Sequence, residues 1–393
     1  MTRYDYLIVG GGMTADAAAH GIREQDAKGG IGIVGSDSHA PYNRPPLTKG
    51  LWKGDSPDSI ERRTGETGAE LRLGRRIVSL DPVAHRATDD SGTDYEYRTL
   101  LLATGGRPRR FPDAPEGVVY FRTLDDYRKV RDLSDRGSSF AVIGAGFIGS
   151  EIAAALRMQD RDVTMIVRDQ GIGARVYPAD LSHWLVGYYR EKGVTVRLGE
   201  EAGRIESRDG RFRVHAGKGD PLTADAVVAG LGIEPDVGLA RDAGLKVSDG
   251  IEVDRRLRTS GPDVYAAGDV ASFHNPALGK RIRVEHEDNA NTMGTTAGRN
   301  MAGAGLDYDH LPFFYSDLFD LGYEAVGDLD ARLETVADWK EKFREGVVYY
   351  LKDGRVRGVL LWNTWNQVDA ARALIAEPGP FRPEQLKGRL PAG

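Results

Sequence analysis

Cysteine is absent from the 393 residues. That removes a redox-active disulfide, a cysteine-ligated iron–sulfur cluster, thiolate haem attachment, a cysteine zinc site and a cysteine nucleophile. No run approaches the ~18 consecutive apolar residues of a membrane span, so no membrane association is expected. Positive charge is not in excess either. Lys plus Arg number 53 against 59 Asp plus Glu, a formal net charge of −6, and no basic tail is present. Nucleic acid is therefore not an expected partner. The first apolar strand begins near Tyr4, leaving no room ahead of it for a signal or transit peptide, and the expectation is a cytoplasmic protein. What the chain does have is glycine, 50 in all, in neither a collagen-like nor a low-complexity pattern. With 40% hydrophobic and 28% charged residues the composition is that of a globular protein, long enough for two or three domains of ~150 residues.

Strand-like apolar runs alternate with helical patterns, the mark of parallel βαβ units and an α/β fold. Tyr4 to Val9 reads as a buried strand, followed by glycines, an Ala-rich helix around Ala15 to Arg23, and a strand at Ile31 to Val34. The same order recurs at Phe140 to Ile143, glycines, a helix through Glu151 to Met158, and a strand at Val163 to Val167. Two copies of one unit imply two Rossmann-like nucleotide-binding domains. Arg98 to Ala103 is a further strand, and the Pro- and Arg-rich Arg107 to Pro115 reads as a linker. A second boundary falls where Ala226 to Ala229 runs into Gly230 to Pro235. After Gly305, strands at Gly346 to Leu351 and Arg355 to Leu361 flank the hairpin signal Lys352-Asp353-Gly354. A helix from Gln367 to Ile375 follows, so the last stretch reads as an α+β domain. The tail after Glu377, rich in Pro and Gly, is expected to be loosely ordered.

The first glycine loop is Gly10-Gly11-Gly12-Met13-Thr14-Ala15, a G-x-G-x-x-A between strand and helix. Gly10 permits the tight turn, Gly12 lets backbone amides approach a pyrophosphate, and Ala15 lets the helix lie close to the strand. The position where an acid normally meets the ribose is Ser36, with Asp37 beside it. The second loop, Gly144-Ala145-Gly146-Phe147-Ile148-Gly149, is a full G-x-G-x-x-G in the same setting. Its acid position is Val167, followed by Arg168 and Asp169. A chain holding two dinucleotides has an evident chemistry, hydride exchange between nicotinamide and flavin.

At these residues the sequence resembles the flavoprotein reductases of the glutathione-reductase fold. Pro41-Tyr42-Asn43-Arg44-Pro45-Pro46-Leu47-Thr48-Lys49 is similar to the "PYxRPPLSK" segment of apoptosis-inducing factor and oxygenase-coupled ferredoxin reductases. Val284-Glu285-His286 resembles the "VEH" of apoptosis-inducing factor and monodehydroascorbate reductase. Pro312 to Asp317, running on to Gly322-Tyr323-Glu324-Ala325-Val326-Gly327, resembles the C-terminal-domain signature of apoptosis-inducing factor. Tyr265-Ala266-Ala267-Gly268-Asp269 resembles the second flavin motif, whose Asp holds the ribityl chain. This branch has no redox disulfide, in keeping with the missing cysteine.

The resemblance implies an FAD domain of residues 1–108 and 232–305, an NAD(P)H domain at 109–231, and a C-terminal α+β domain at 306–393. For FAD it implies Gly10, Gly12, Met13, Thr14, Ala15, Ser36, Asp37, Arg44, Pro45 and Lys49. Arg76, Ile77, Ala103, Thr104, Gly105, Arg122, Gly268, Asp269, Glu285, His286, Phe314 and Tyr315 complete that set. For NADH or NADPH it implies Gly144, Gly146, Phe147, Ile148, Gly149, Glu151, Arg168, Asp169, Arg175, Gly232 and Glu324. In similar proteins a pair matching Lys49 and Glu151 lies beside the flavin N5, where a cation stabilises the charge gained on reduction and the carboxylate holds the cation. Glu285 and His286 complete the catalytic set, and Tyr315 stands where an aromatic closes over the flavin.

Each of these has a plainer reading. Lys49 and Glu151 are also compatible with solvated charges, Glu151 being favoured near a helix N-terminus by the dipole alone. Glu285-His286-Glu287-Asp288 reads as an acidic helix start and not as a metal site, since four consecutive residues cannot all face one ion. Arg107, Arg109 and Arg110, with Arg62, Arg63, Arg75 and Arg76 elsewhere, read as solvated charge that would steer an acidic acceptor if one exists. The leading expectation is an NAD(P)H-dependent flavoprotein reductase passing electrons to a small ferredoxin-type protein. The alternatives are an NADH-responsive redox sensor with slow turnover and a monodehydroascorbate-type reductase. A homodimer is left open. Arg168 and Arg175 favour a 2′-phosphate and Asp169 a ribose hydroxyl, so either coenzyme is expected to work, with at most a modest NADPH preference.

Overall fold

The computed structural model describes residues 2–390 and divides into two compact units, described here one at a time. The first gathers the chain up to Arg44, Ser56–Arg107 and Glu234–Phe313. Its main sheet runs in the order Glu70–Leu73, Ile31–Gly35, Thr2–Val9, Asp94–Leu102, Arg86–Asp89, Ile77–Asp81, with Val264–Ala266 also paired to Asp94–Leu102. Its centre is parallel, with Ile8 opposite both Ile33 and Leu101. Leu7, Ile8, Leu100, Leu101 and Leu102 have no exposure at all, which is why these strands read as continuous apolar runs: both faces are covered. One face is covered by the Met13–Arg23 helix, which packs against Glu287–Met301 through glycine. A Cβ on Gly21 would lie 2.3 Å from the Thr295 carbonyl oxygen, and one on Gly298 would lie 2.1 Å from that of Ala18.

The second unit comprises Pro45–Asp55, Pro108–Ile233 and the chain from Phe314 onward. Its parallel sheet has the order Thr195–Leu198, Val163–Val167, Phe140–Ile143, Ala226–Ala229. A three-stranded antiparallel sheet (Ala202–Arg208, Arg211–Ala216, Leu222–Ala224) is joined to it in sequence. Five antiparallel strands follow, ordered Phe313–Leu318, Leu321–Gly327, Arg355–Trp362, Glu345–Lys352, Glu334–Glu341. The hairpin turns where expected, with Lys352 opposite Arg355 and both Asp353 (φ 52) and Gly354 (φ 70) left-handed, the backbone such a two-residue turn demands.

The short Pro45–Asp55 segment winds through two 3₁₀ turns and is fastened inside this unit. Trp52 Nε1 donates to the Leu47 carbonyl at 2.8 Å, and the Gln159 amide donates to the Trp52 carbonyl at 3.0 Å. The expected loose tail is corrected for residues 378–390. Pro383–Leu386 forms a helical turn, Leu386 and Leu390 are buried, and the Leu390 amide donates to Tyr349 Oη at 3.2 Å. Two apolar side chains suffice to dock a Pro-rich segment that composition alone marks as loose. The tail's last residues, 391–393, lie outside the described part. Among the described residues no helix is long and apolar enough to cross a membrane.

Candidate functional site

Each unit carries one strand–glycine–helix cradle. In the first, Gly10 turns the chain at φ 122, and a Cβ there would lie 2.1 Å from the Ala103 carbonyl oxygen. Only glycine fits. Gly12 is different: its Cβ would meet nothing nearer than the Arg44 guanidinium at 3.9 Å. Gly12 also caps the Met13–Arg23 helix without any side-chain hydrogen bond to the first amides. Free amides, a helix dipole and open space before them suit a pyrophosphate. Thr14 and Ala15 are buried at the helix start, and Gly268 (φ 76) lies so close that its Cβ would stand 2.3 Å from Thr14 Oγ1. This brings Asp269, in the 3₁₀ turn Gly268–Val270, into the neighbourhood of the loop.

Other expected flavin residues spread through the same unit. Ser36 is exposed at the end of its strand, while Asp37 is engaged locally by Tyr42 Oη and the His39 amide, both at 3.1 Å. Thr104 donates to the Asp236 carbonyl, and Arg76 and Arg107 approach the Asp236 carboxylate at 3.7 and 2.9 Å. Ile77 opens a buried strand position and Gly105 is left-handed at φ 65. His286 caps the Glu287–Met301 helix and Glu285 pairs with Arg283 at 2.5 Å. Asp288 in that helix's first turn accepts from His310 Nε2 at 2.6 Å, so the acidic run starts a helix. Arg62, read as solvated charge, is corrected. Its guanidinium donates to Asp16, Asn43 and Asn291 at 2.7, 2.7 and 2.8 Å and is largely buried, because the buried Asp16 needs a cation. In the second unit Arg110 is exposed, as the solvated-charge reading has it, and lies over the Tyr120 ring at 4.7 Å.

In the second unit Gly144 (φ 98), Gly149 and Gly230 press together: the first two Cβ atoms would lie 2.4 and 2.1 Å from carbonyl oxygens of Gly230 and Gly144. Gly146 faces outward, and its Cβ would meet nothing within 4 Å. It caps the Phe147–Met158 helix with its amides again unclaimed by a side chain. Beyond the next strand, Asp169 lies between two arginines, 3.9 Å from Arg168 and 3.8 Å from Arg175. Gly232 is left-handed at φ 84 and its carbonyl accepts from the Arg109 amide. The Arg122 amide donates to Asp126, part of a helix capping box.

The same unit buries an ion pair. Lys49 Nζ lies 2.7 Å from Glu151 Oε2, their side chains 11% and 4% exposed, so neither is a solvated charge. Thr48 Oγ1 donates to the same oxygen at 2.5 Å and Ser316 Oγ to Oε1 at 2.5 Å. Lys49 Nζ also lies 5.4 Å from the Tyr315 ring centroid, within cation–π reach, and Phe314 meets Phe147 edge-on at 5.2 Å. Thr48 and Ser316 were not singled out from the sequence, although both stand inside the motifs quoted above. Glu324 Oε2 is buried without a hydrogen-bond partner, and burial raises the pKa of its carboxyl.

The residues present thus fit two dinucleotides: each cradle has room for ligand before the unclaimed helix amides at Gly12 and Gly146, with Asp269 near the first and Asp169 beyond the strand that follows the second. The comparisons agree. The family model described as pyridine nucleotide-disulphide oxidoreductase matches residues 4–294, and one described as apoptosis-inducing factor, mitochondrion-associated, C-term matches 297–342 and 337–377. The chain is 35% identical to the 5,5'-dehydrodivanillate O-demethylase ferredoxin reductase subunit of Sphingobium sp., over 96% of this chain and 94% of that one. It is 34% identical to the ferredoxin–NAD(+) reductase component of the anthranilate 1,2-dioxygenase system of Burkholderia cepacia, over 98% and 97%. The solved ferredoxin reductase for the CYP199A2 system from Rhodopseudomonas palustris superposes with a TM-score of 0.88 at 32% identity, covering 97% of this chain and 96% of that one. The chain belongs to the pyridine nucleotide-disulphide oxidoreductase family, in the branch of ferredoxin reductases, apoptosis-inducing factors and monodehydroascorbate reductases, and is an FAD-dependent NAD(P)H oxidoreductase that works without a redox disulfide.

Proposed function

We propose that the protein is the reductase component of an electron-transfer chain, drawing electrons from NADH and delivering them to a small ferredoxin-type iron–sulfur protein. The observation that carries this reading is the pair of dinucleotide cradles in a chain with no cysteine. With no dithiol to receive electrons, they must leave for an external acceptor. Bound FAD supplies a centre that takes two electrons together and releases them singly. In this reading the first cradle binds the flavin pyrophosphate at Gly12 and the ribityl chain at Asp269. The second binds the coenzyme at Gly146. Lys49 presents a fixed positive charge that favours reduced flavin, and Glu151 holds the ammonium in place. Asp169, with both arginines turned to it, accepts from the ribose 2′-hydroxyl, which supports NADH over NADPH. Relatives named as ferredoxin–NAD(+) reductase components support the same coenzyme and acceptor.

The test is anaerobic rapid mixing of the holoprotein with NADH, then with an oxidised ferredoxin. The reading expects fast bleaching of the flavin and rapid return of its absorbance on ferredoxin. The match to the apoptosis-inducing-factor C-terminal region sustains a second reading, a redox sensor, which expects reduced protein that persists for minutes with ferredoxin and oxygen alike. Rapid reoxidation by the ascorbyl radical alone would point to the activity named for the pea relative, monodehydroascorbate reductase. Fractionation and light scattering check the cytoplasmic location and the homodimer that accompany this reading.

A further inference from the structure

We infer that Arg283 is a positioning residue for the flavin, tying the Asp269 turn to Glu285 and cancelling the charge of that carboxylate. The inference rests on the reading above that the first cradle holds FAD and Asp269 its ribityl chain. The hairpin of Ala271–Asn275 and Lys280–Ile282 pairs Phe273 with Ile282. It therefore brings the chain back, at Arg283, to the turn it left at Asp269. There Arg283 Nη1 donates to the Asp269 carbonyl at 3.2 Å and to Glu285 Oε1 at 2.5 Å, while Nε donates to Asp249 Oδ1 at 2.9 Å. The arginine stem needs a glycine beside it. Gly250 is left-handed (φ 101), and a Cβ there would lie 2.8 Å from Arg283 Cδ and 2.6 Å from the Val270 carbonyl oxygen.

The same turn is held from the cradle side. Gly268 lies against Thr14, and its amide donates to Met293 Sδ at 3.3 Å. Contacts thus run without a break from the first glycine loop through Gly268 and Asp269 to Arg283 and Glu285, all within the first unit. Asp249, Asp269 and Glu285 gather carboxylates at this place, and a dinucleotide adds its own anionic pyrophosphate. Arg283 is the cation set among them, its side chain 12% exposed against 36% for Glu285. Removing the guanidinium frees the Asp269 carbonyl and leaves the Glu285 charge uncompensated. The resulting repulsion falls on the flavin, and hardest on reduced flavin, which carries added charge. Flavin affinity and midpoint potential should both fall.

The experiment measures the flavin dissociation constant at low and high salt, and the flavin midpoint potential of the holoprotein. The variants are Arg283→Gln, Arg283→Lys, Glu285→Gln, the Arg283→Gln/Glu285→Gln double, and Asp269→Asn as a check on the underlying reading. Arg283→Gln is expected to weaken flavin binding about tenfold, the scale of hydrogen bonds from a charged group, and to lower the potential. Salt recovers part of that loss by screening the repulsion. In the Glu285→Gln background the same change costs only about threefold, the neutral bond to the Asp269 carbonyl being all that is left to lose. Arg283→Lys keeps the charge and hence the potential, and it carries the test if Arg283→Gln does not fold. An equal loss in both Glu285 backgrounds, or a potential lowered as far by lysine as by glutamine, would mean ordinary packing and overturn the inference. If Asp269→Asn weakens flavin binding and Arg283→Gln does not, the inference alone fails. If Asp269→Asn leaves flavin affinity unchanged, the reading of the cradle fails first and this inference with it.

Discussion

The two glycine cradles share a plan and differ in where their glycines are spent. In the first, the third loop position is Ala15, and the close packing is made outside the loop, where Gly21, Gly294 and Gly298 bring two long helices together. In the second, Gly144, Gly149 and Gly230 press on one another inside the loop itself. No residue of the first loop from Gly10 to Ala15 is exposed, whereas Gly146 is exposed and Ile148 is 37% exposed in the second. A sheltered cradle clamped by a second helix suits a cofactor that stays, and an open one suits a coenzyme that comes and goes. One motif can therefore serve retention or exchange, depending on what packs behind it.

The strongest way to break the comparison is to add a methyl where the backbone leaves no space. Gly10→Ala, at φ 122 and 2.1 Å from a carbonyl oxygen, should cost roughly 2–4 kcal/mol and yield protein with little flavin. Gly144→Ala should damage coenzyme binding while the protein still purifies yellow. Thermal melting and the flavin-to-protein ratio check both. Next in size is Glu151→Gln in the second unit. It is expected to slow flavin reduction by ~10–100-fold, the range of a hydrogen bond to a charged group, while the coenzyme Kd rises much less. Single-turnover reduction over a range of NADH concentrations separates the two terms.

Asp169→Asn sharpens the coenzyme side. Removing the carboxylate frees Arg168 and Arg175 for a 2′-phosphate, so the ratio of NADPH to NADH reduction efficiencies should rise by about tenfold or more. Asp37→Asn, its counterpart in the first unit, should leave that ratio alone.

The smallest effect concerns Glu324. Burial raises the pKa of its folded carboxyl, so its unfavourable contribution is absent below the unfolded pKa of ~4.3 and grows as pH rises through the folded value. Glu324→Gln should therefore melt slightly higher than wild type at neutral pH, with the gap closing in acid. Melting curves across that range check the sign.

The strand–glycine–helix order, the hairpin at Asp353-Gly354 and the absence of a dithiol were legible because each has a local signal: an apolar run, a turn pair, a missing residue. Less legible were features made by partners far apart in sequence. Arg62 looked like surface charge until Asp16 and Asn291 surrounded it. Leu386 and Leu390 sit in a composition that reads as loose, yet dock by burial. The hydroxyls of Thr48 and Ser316 carry no pattern of their own, and they matter only because they reach one carboxylate from positions 103 and 165 residues away.

In this protein the first cradle is proposed to retain FAD and the second to exchange NAD(P)H. The decisive variants are Gly12→Ala and Gly146→Ala, whose added methyl groups enter open space and leave the backbone unstrained. Flavin content and the NADH concentration giving half-maximal flavin bleaching are measured for both. Gly12→Ala is expected to purify largely without flavin, while Gly146→Ala keeps its full flavin and needs on the order of tenfold or more NADH. The reverse pattern, or unchanged flavin content and NADH requirement in both variants, would contradict it.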